Sequence, residues 1–364
     1  MKTDRVVVGM SGGVDSSVAA YILKQQGYEV IGVTMQIWPG DDPDVVEREG
    51  GCCSLTAVED ARRVANHLDI PFYVMNFQQV FDEKVICYFV DEYLKGRTPN
   101  PCIMCNRYVK FEELLRRSMA LDAYYVATGH YARIEYDEEN NRYLLKKSAT
   151  PAKDQTYALY TMTQYQLQHT LMPLGNYTKE QVRDMAKSIG LVTAQKPDSQ
   201  EICFVMDDDY AGFVRERASD AIEAGYFVDT NGNILGKHKG IIHYTIGQRK
   251  GLGIALGHPM YVVDIDPEKN TVVLGRDCDV YSKEMLVEDI NLISIPSIDS
   301  PIKANVKIRY TAREAPAVIY PEKENALKVV FDEPQRAVTP GQAAVFYQDD
   351  LVVGGGTISK ILKK

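Results

Sequence analysis

A short apolar run, Arg5–Met10, breaks into glycine and serine (GMSGGVDSS over residues 9–17) before a helical pattern over Ser16–Gln26 that stops at Gly27. A buried strand feeding a glycine-rich turn and then a helix is the opening of a βαβ unit. It constrains the rest of the fold, because such a strand needs parallel neighbours reached by crossovers. The chain supplies them. Glu29–Met35, Phe72–Asn76 and Tyr124–Thr128 read as further buried strands. Between the first two, Leu55, Val58, Ala61, Val64, Ala65 and Leu68 recur at helical spacing ahead of Pro71. This alternation predicts an α/β fold, a doubly wound parallel sheet whose ligands lie beyond the carboxyl ends of the strands. The two best motifs, after Met10 and after Thr128, fall at such ends.

Near residue 205 the texture changes to short strands separated by Gly, Asn, Asp and Pro. Residues 229–233 read as a turn, and 265–270 as a hairpin connection between Met260–Asp264 and Thr271–Leu274. Further on, Ile302–Tyr310, Ala317–Ile319, Leu327–Phe331, Ala343–Tyr347 and Leu351–Val353 suggest a small β-barrel. The expected plan is a catalytic domain over 1–205, a small mainly-β domain over 206–282 and a β-barrel over 283–364.

The formal charge of −9 argues against a nucleic-acid partner only as a sum. Lys237, Lys239, Arg249 and Lys250 lie within one stretch, with His238, His243 and no acid. Lys303, Lys307, Arg309 and Arg313 form another. No segment has the roughly 20 apolar residues that span a bilayer, and Met1–Val8 lacks signal-peptide architecture, so a cytoplasmic protein is expected. In that compartment the seven cysteines stay reduced and serve metal, redox or sulfur chemistry rather than structural disulfides.

The loop after the first strand is suited to phosphate. Unsatisfied N–H groups at a helix start attract anions, Gly12 and Gly13 permit a tight turn, and Ser11, Ser16 and Ser17 add hydroxyl donors. Asp15 is the odd member, sensible if it helps to hold Mg²⁺ or caps the turn. The loop has no Walker lysine. It resembles the SGGxDS loop of the PP-loop ATP pyrophosphatases (the adenine nucleotide α-hydrolase type), which cleave ATP to AMP and pyrophosphate. Four further segments narrow this: Thr98–Asn106 with Cys102 and Cys105, Gly129-His130-Tyr131, Lys153-Asp154-Gln155, and Lys196–Phe204 with Cys203. With Tyr244–Gly253, Ile308-Arg309-Tyr310 and Thr339–Gln342, the chain resembles the tRNA-specific 2-thiouridylase family along essentially its whole length.

The resemblance implies ATP-dependent 2-thiolation of the wobble uridine in tRNAs for Lys, Glu and Gln. Cys203 would carry a persulfide received from a cysteine desulfurase or relay protein, Cys105 would be the nucleophile that resolves it, and Asp15 would assist. ATP, with Mg²⁺, would contact Gly9, Met10, Ser11, Gly12, Gly13, Val14, Asp15, Ser16, Met35 and Gly129. Asn100, Pro101 and Cys102 would border the target base. His130, Lys153, Asp154, Gln155, Arg309, Tyr310 and Gln342 would contact tRNA. A helix beginning near Asn106, with Phe111, Leu114 and Leu115 on its apolar face, would put Cys105 at a helix start, where thiol pKa values fall. Where many relatives have Asp, this chain has Cys102. Cys102, Cys105 and Cys203 could instead hold an iron–sulfur cluster, or zinc with His130. Cys52 and Cys53 read as a packed turn or helix start, and Cys87 and Cys278 as non-catalytic. Two rivals remain: a PP-loop ligase acting on a small metabolite, and a nucleotide-regulated RNA-binding protein without catalysis. A monomer is expected.

Overall fold

The computed structural model describes residues 4–37, 55–196, 202–205, 209–218, 222–254, 257–322 and 325–362. Cys52, Cys53 and residues 197–201 of the segment before Cys203 lie outside them. The chain forms two compact units. One draws on Met1–Val85, Cys102–Phe204 and Asp349–Val352, the other on Ile86–Pro101, Val205–Gln348 and Val353–Lys364.

The first unit is built on parallel strands. β1 (Arg5–Gly9) is followed by α1 (Val14–Gln25), β2 (Glu29–Gln36), α2 (Leu55–His67) and β3 (Phe72–Asn76). Helix α3 (residues 78–94) passes into the second unit, and α4 (residues 101–119) returns to the first. Then come β4 (Tyr125–Ala127), the hairpin β5 (Ala132–Asp137) and β6 (Arg142–Lys147), β7 (Thr170–Leu171) and α5 (Lys179–Ser188). The sheet order is β3-β2-β1-β4-β7, with all pairings parallel. Val6, Val7 and Val8 are fully buried without alternation, the pattern of a strand covered on both faces. The chain order reverses between β1 and β4, so both expected motifs sit at the topological switch point.

The hairpin β5–β6 was not foreseen. Its strands carry Arg133, Glu135, Asp137, Arg142, Lys146 and Lys147, and the charges hide the period-2 signal. They are matched by salt bridges of Arg133 to Asp350 (2.6 Å) and Lys146 to Glu135 (2.6 Å).

In the second unit, helix α6 (Tyr210–Ala218) precedes a small sheet of β8 (Gly225–Asp229), β9 (Ile234–His238), β10 (Tyr261–Asp266) and β11 (Thr271–Gly275), in the order β10-β11-β8-β9. The expected turn is present: Asp229 accepts from the N–H groups of Asn231 and Asn233. The remaining strands are β12 (Tyr281–Leu292), β13 (Ile302–Lys307), β14 (Ala315–Pro321), β15 (Leu327–Arg336), β16 (Ala343–Gln348) and β17 (Leu351–Leu362). They pair in the order β12-β15-β14-β13-β16-β17 and close through β12–β17 into a barrel around Val306, Ile319, Val329, Phe331 and Phe346.

Several strand limits differ from expectation, β15 running on to Arg336 and β14 spanning Ala315–Pro321, and two of them are instructive. β13 ends at Lys307, and Arg309 and Tyr310 lie in a turn closed by Ala312 N–H on Arg309 O. β17 continues past Val353 through Gly354, Gly355 and Gly356. A Cβ at Gly354 or Gly356 would lie 2.4 or 2.5 Å from the backbone oxygens of Asn291 and Glu288. The glycines that read as a strand end are what allow β12 to approach.

Candidate functional site

The phosphate-type loop is held from within. Ser16 Oγ donates to Gly13 O (3.2 Å) and accepts from Ser11 N–H (3.2 Å), and Ser17 Oγ donates to Gly13 O (2.8 Å). Thr193 Oγ1 lies 3.3 Å from the fully buried Ser17 Oγ. Ser17 is therefore a strut and not a ligand donor. Gly13 is the N-cap of α1, and no side chain caps the helix, which leaves its opening N–H groups available to an anion. Met10 and Val14 are buried, and a Cβ at Gly32 would meet Met10 Sδ at 2.6 Å. Those two can offer a nucleotide only their backbones. Met35 is half-buried at the end of β2, with its Cε beside Gly9.

Two glycines expected to contact a nucleotide also make room for the protein. At Gly12, in a left-handed conformation (φ +67°), a Cβ would meet Ala57 O at 2.3 Å. At Gly129 it would meet Asp15 C and Ser16 N at 2.7 Å, so the β4 turn packs directly on the start of α1. At Gly13 the one neighbour of a Cβ would be Ser11 Oγ at 3.4 Å, an ordinary contact.

Asp15 does not cap the turn. Its carboxylate takes both contacts of Lys179 Nζ (2.8 Å to each oxygen) and accepts from Tyr131 Oη (2.8 Å). Lys179 is nearly buried, opens α5, and is fixed there by a capping box between Thr178 and Gln181. The sequence motifs include Tyr131 without a role and do not include Lys179. The Thr-x-x-Gln pattern would have located the helix start, though not its neighbour. The negative charge that made Asp15 anomalous in an anion loop is thus matched by a cation at the same place.

The cysteine segment differs from expectation. Helix α4 begins at Pro101, not near Asn106, so Cys102 sits in its first turn and the argument from a helix start passes from Cys105 to Cys102. Cys105 opens a π-helical stretch, Cys105–Glu113, a winding often found at functional sites. Phe111, Leu114 and Leu115 are buried as expected, and Asn106 donates to Ala158 O (2.9 Å). Cys102 is exposed, and Cys105 and Cys203 are half-buried. Phe204, next to Cys203, is buried edge-on to Phe81 (5.8 Å between centroids). The first turn of α3, which carries Phe81, packs on the π-helical stretch. Cys203 is therefore tied to the layer that holds Cys105. Among the described residues no three of His, Cys, Asp or Glu stand together as a metal site, and Cys102, Cys105 and Cys203 do not form one. The donor set does not fit an iron–sulfur cluster or zinc.

Several expected tRNA contacts are engaged with the protein itself. His130 Nδ1 is 2.7 Å from Thr128 Oγ1 and its ring stacks obliquely on Phe111. Burial, and secondarily the Lys110 charge, hold its pKa well below the usual range, so the imidazole is neutral. Asp154 accepts from Ser148 N–H and Thr156 Oγ1, and Gln155 from Tyr131 N–H. Lys153 is half-buried. Within the second unit, Arg309 donates to Ile246 O (3.1 Å) and Thr339 Oγ1, and Gln342 Nε2 donates to Thr98 O (2.8 Å). Asn100 is half-buried and Pro101 buried. Tyr310 is exposed, with Lys307 over its ring. In the basic stretch, Lys237, Lys239, Arg249 and Lys250 are exposed, whereas the two histidines are structural. His238 accepts from Gly240 N–H, and His243 accepts from Arg215 and is pushed down to about 4, chiefly by burial.

Three family models match the chain in succession: a tRNA methyl transferase HUP domain over residues 4–207, a tRNA methyl transferase PRC-barrel domain over 211–276, and an aminomethyltransferase beta-barrel domain over 282–358. The chain is 65% identical to the tRNA-specific 2-thiouridylase MnmA of Acetivibrio thermocellus, over 98% of this chain and 100% of that protein. It is 61% identical to the protein of that name from Clostridioides difficile, over 98% and 99%. Among solved structures, a 4-thiouridine synthetase–RNA complex with bound ATP aligns over 60% of this chain and 51% of its own, at 17% identity and a TM-score of 0.38.

Proposed function

The chain belongs to the tRNA-specific 2-thiouridylase family, and from that premise we propose how its own residues carry out the reaction. The activity is ATP-dependent 2-thiouridine formation in tRNA, by a tRNA-uridine 2-sulfurtransferase. ATP lies over Gly13, with its phosphates at the uncapped start of α1. Lys179 is the cation of that site, and Asp15 and Tyr131 are its tether. Mg²⁺ accompanies the nucleotide. Asp15 is committed to Lys179, so no step is assigned to the metal.

The target uridine, extruded from the single-stranded anticodon loop beside Asn100 and Cys102, attacks the α-phosphate through O2. Pyrophosphate leaves and the base is adenylated. Cys203 carries a persulfide supplied by a donor protein. Cys105 thiolate attacks the inner sulfur, Sγ of Cys203. The outer sulfur leaves with the bonding pair and adds to C2 of the activated base, and AMP departs. The products are 2-thiouridine, AMP and a Cys105–Cys203 disulfide, which external thiols reduce for the next cycle. The substrate set is the wobble uridine of tRNAs for Lys, Glu and Gln, in the cytoplasm.

One observation carries this reading: Phe204 anchors the Cys203 segment on the layer that presents Cys105. The reaction is tested by counting products. AMP, pyrophosphate and 2-thiouridine should appear in equal amounts and only when tRNA is present. ADP and phosphate in their place would exclude adenylation.

A further inference from the structure

Residues 96–99, just before the proposed target-base residues, are gripped by parts of the chain far away in sequence. Thr98 N–H donates to Pro340 O (3.0 Å), and Thr98 C=O accepts from Gln342 Nε2 (2.8 Å). Thr98 Oγ1 donates to Thr245 Oγ1 (3.2 Å). The turn that supplies Pro340 and Gln342 is itself fixed. Gly341 N–H donates to Ile358 O, Ile358 N–H donates to Gln342 O, and Arg309 donates to Thr339 Oγ1. Gly341 is left-handed (φ +90°), and a Cβ there would stand 3.0 Å from Arg97 Cβ and from Thr98 N. On the other side, Arg97 N–H donates to the backbone oxygen of Glu92 (2.9 Å).

A connection between two helices needs no such grip to be stable; local turns suffice. Here both backbone groups of one residue are taken by a turn at the end of the barrel, and its hydroxyl by the small sheet's approach segment. We propose that Thr339–Gln342 and Thr245 form a clamp that sets the register of residues 98–100, and that Gln342 is a positioning residue for the target uridine. The proposal rests on the assignment of Asn100, Pro101 and Cys102 to that base. It also gives the barrel a role in the chemistry without any barrel residue touching the reacting atoms: RNA seated against the barrel is registered to the segment that presents its base.

The clamp is tested with the full-length enzyme and three variants: Gln342→Ala, Gln342→Glu and Thr245→Val. Misplacing a reacting group by about 1 Å costs on the order of a hundredfold. Gln342→Ala should therefore lower kcat at saturating tRNA by roughly tenfold to a hundredfold, with tRNA affinity, ATP affinity and unfolding temperature unchanged. AMP released per 2-thiouridine should rise, because a misplaced adenylated base is hydrolysed before sulfur reaches it. Gln342→Glu should be worse, since a carboxylate would face Thr98 O. Thr245→Val should act in the same direction and be less than additive with Gln342→Ala; it carries the test if a Gln342 variant fails to fold. Reduced tRNA affinity with kcat retained would make Gln342 an RNA contact and overturn the clamp, as would equal kcat in all variants. A wild type unable to thiolate would instead overturn the functional reading beneath it.

Discussion

The proposed nucleotide loop and the proposed target-base segment hold backbone still in opposite ways. In the loop the bonds that close the turn span 3 to 5 residues, from Ser16 and Ser17 to Gly13 and from Ser11 to Ser16, and the distant partners Thr193, Lys179 and Tyr131 reach only the side chains of Ser17 and Asp15 from within the same unit. In the target-base segment they span 147 and 244 residues, from Thr98 to Thr245 and from Gln342 to Thr98. A turn closed by local bonds and supported from its own unit does not need the second unit. A site held from afar depends on the whole second unit being folded. Nucleotide binding should therefore tolerate damage to the barrel that base positioning does not.

Substitutions can break or sharpen that contrast. The largest effect is expected at Cys203→Ser, which removes the proposed sulfur carrier. Thiolation should fall on the order of a thousandfold or more, since a hydroxyl cannot carry a persulfide, while ATP and tRNA still bind. Residual thiolation at the normal rate, measured by nucleoside mass spectrometry, would remove Cys203 from the reaction.

Next is Lys179→Met. A charge-assisted contact is worth about 1.5–3 kcal/mol, roughly tenfold to a hundredfold in affinity. ATP binding by calorimetry should weaken by that factor while adenosine binding is unaffected and tRNA binding persists. Equal losses for adenosine and ATP would mean that the ion pair serves only to shape the loop.

The smallest effect per residue belongs to the exposed cations. Neutralising Lys237, Lys239, Arg249 and Lys250 should reduce the salt dependence of tRNA binding by about 0.7–0.9 for each phosphate that is no longer neutralised. ATP binding should not change. An unchanged salt slope would place the RNA elsewhere.

The same division explains what the sequence made legible. The parallel sheet and the position of the loop could be read, because buried strands and helical spacing are local patterns and the topological switch follows from their order. Gly12 could be read as serving a tight turn, and Gly129 only as a nucleotide contact implied by the resemblance; the packing that each serves could not. The missing Cβ atoms admit Ala57 and the start of α1, contacts that no local window contains. Lys179 escaped notice because nothing around residue 179 refers to residue 15. Arg309 and Gln342 drew attention as RNA contacts, and the structure engages both in holding the protein's own turns. The start of α4 was misplaced by five residues, from Asn106 to Pro101. Pro101 is well suited to the first turn of a helix, where its missing N–H costs nothing.

The central claim concerns two sulfur atoms, Cys105 Sγ and Cys203 Sγ, and one transfer. The direct test is a single turnover with enzyme persulfidated at Cys203, ATP, tRNA and no reductant, followed by acid quench and peptide mass spectrometry. The account predicts a Cys105–Cys203 disulfide equal in amount to the 2-thiouridine formed. Full conversion of uridine with both thiols recovered reduced would contradict it.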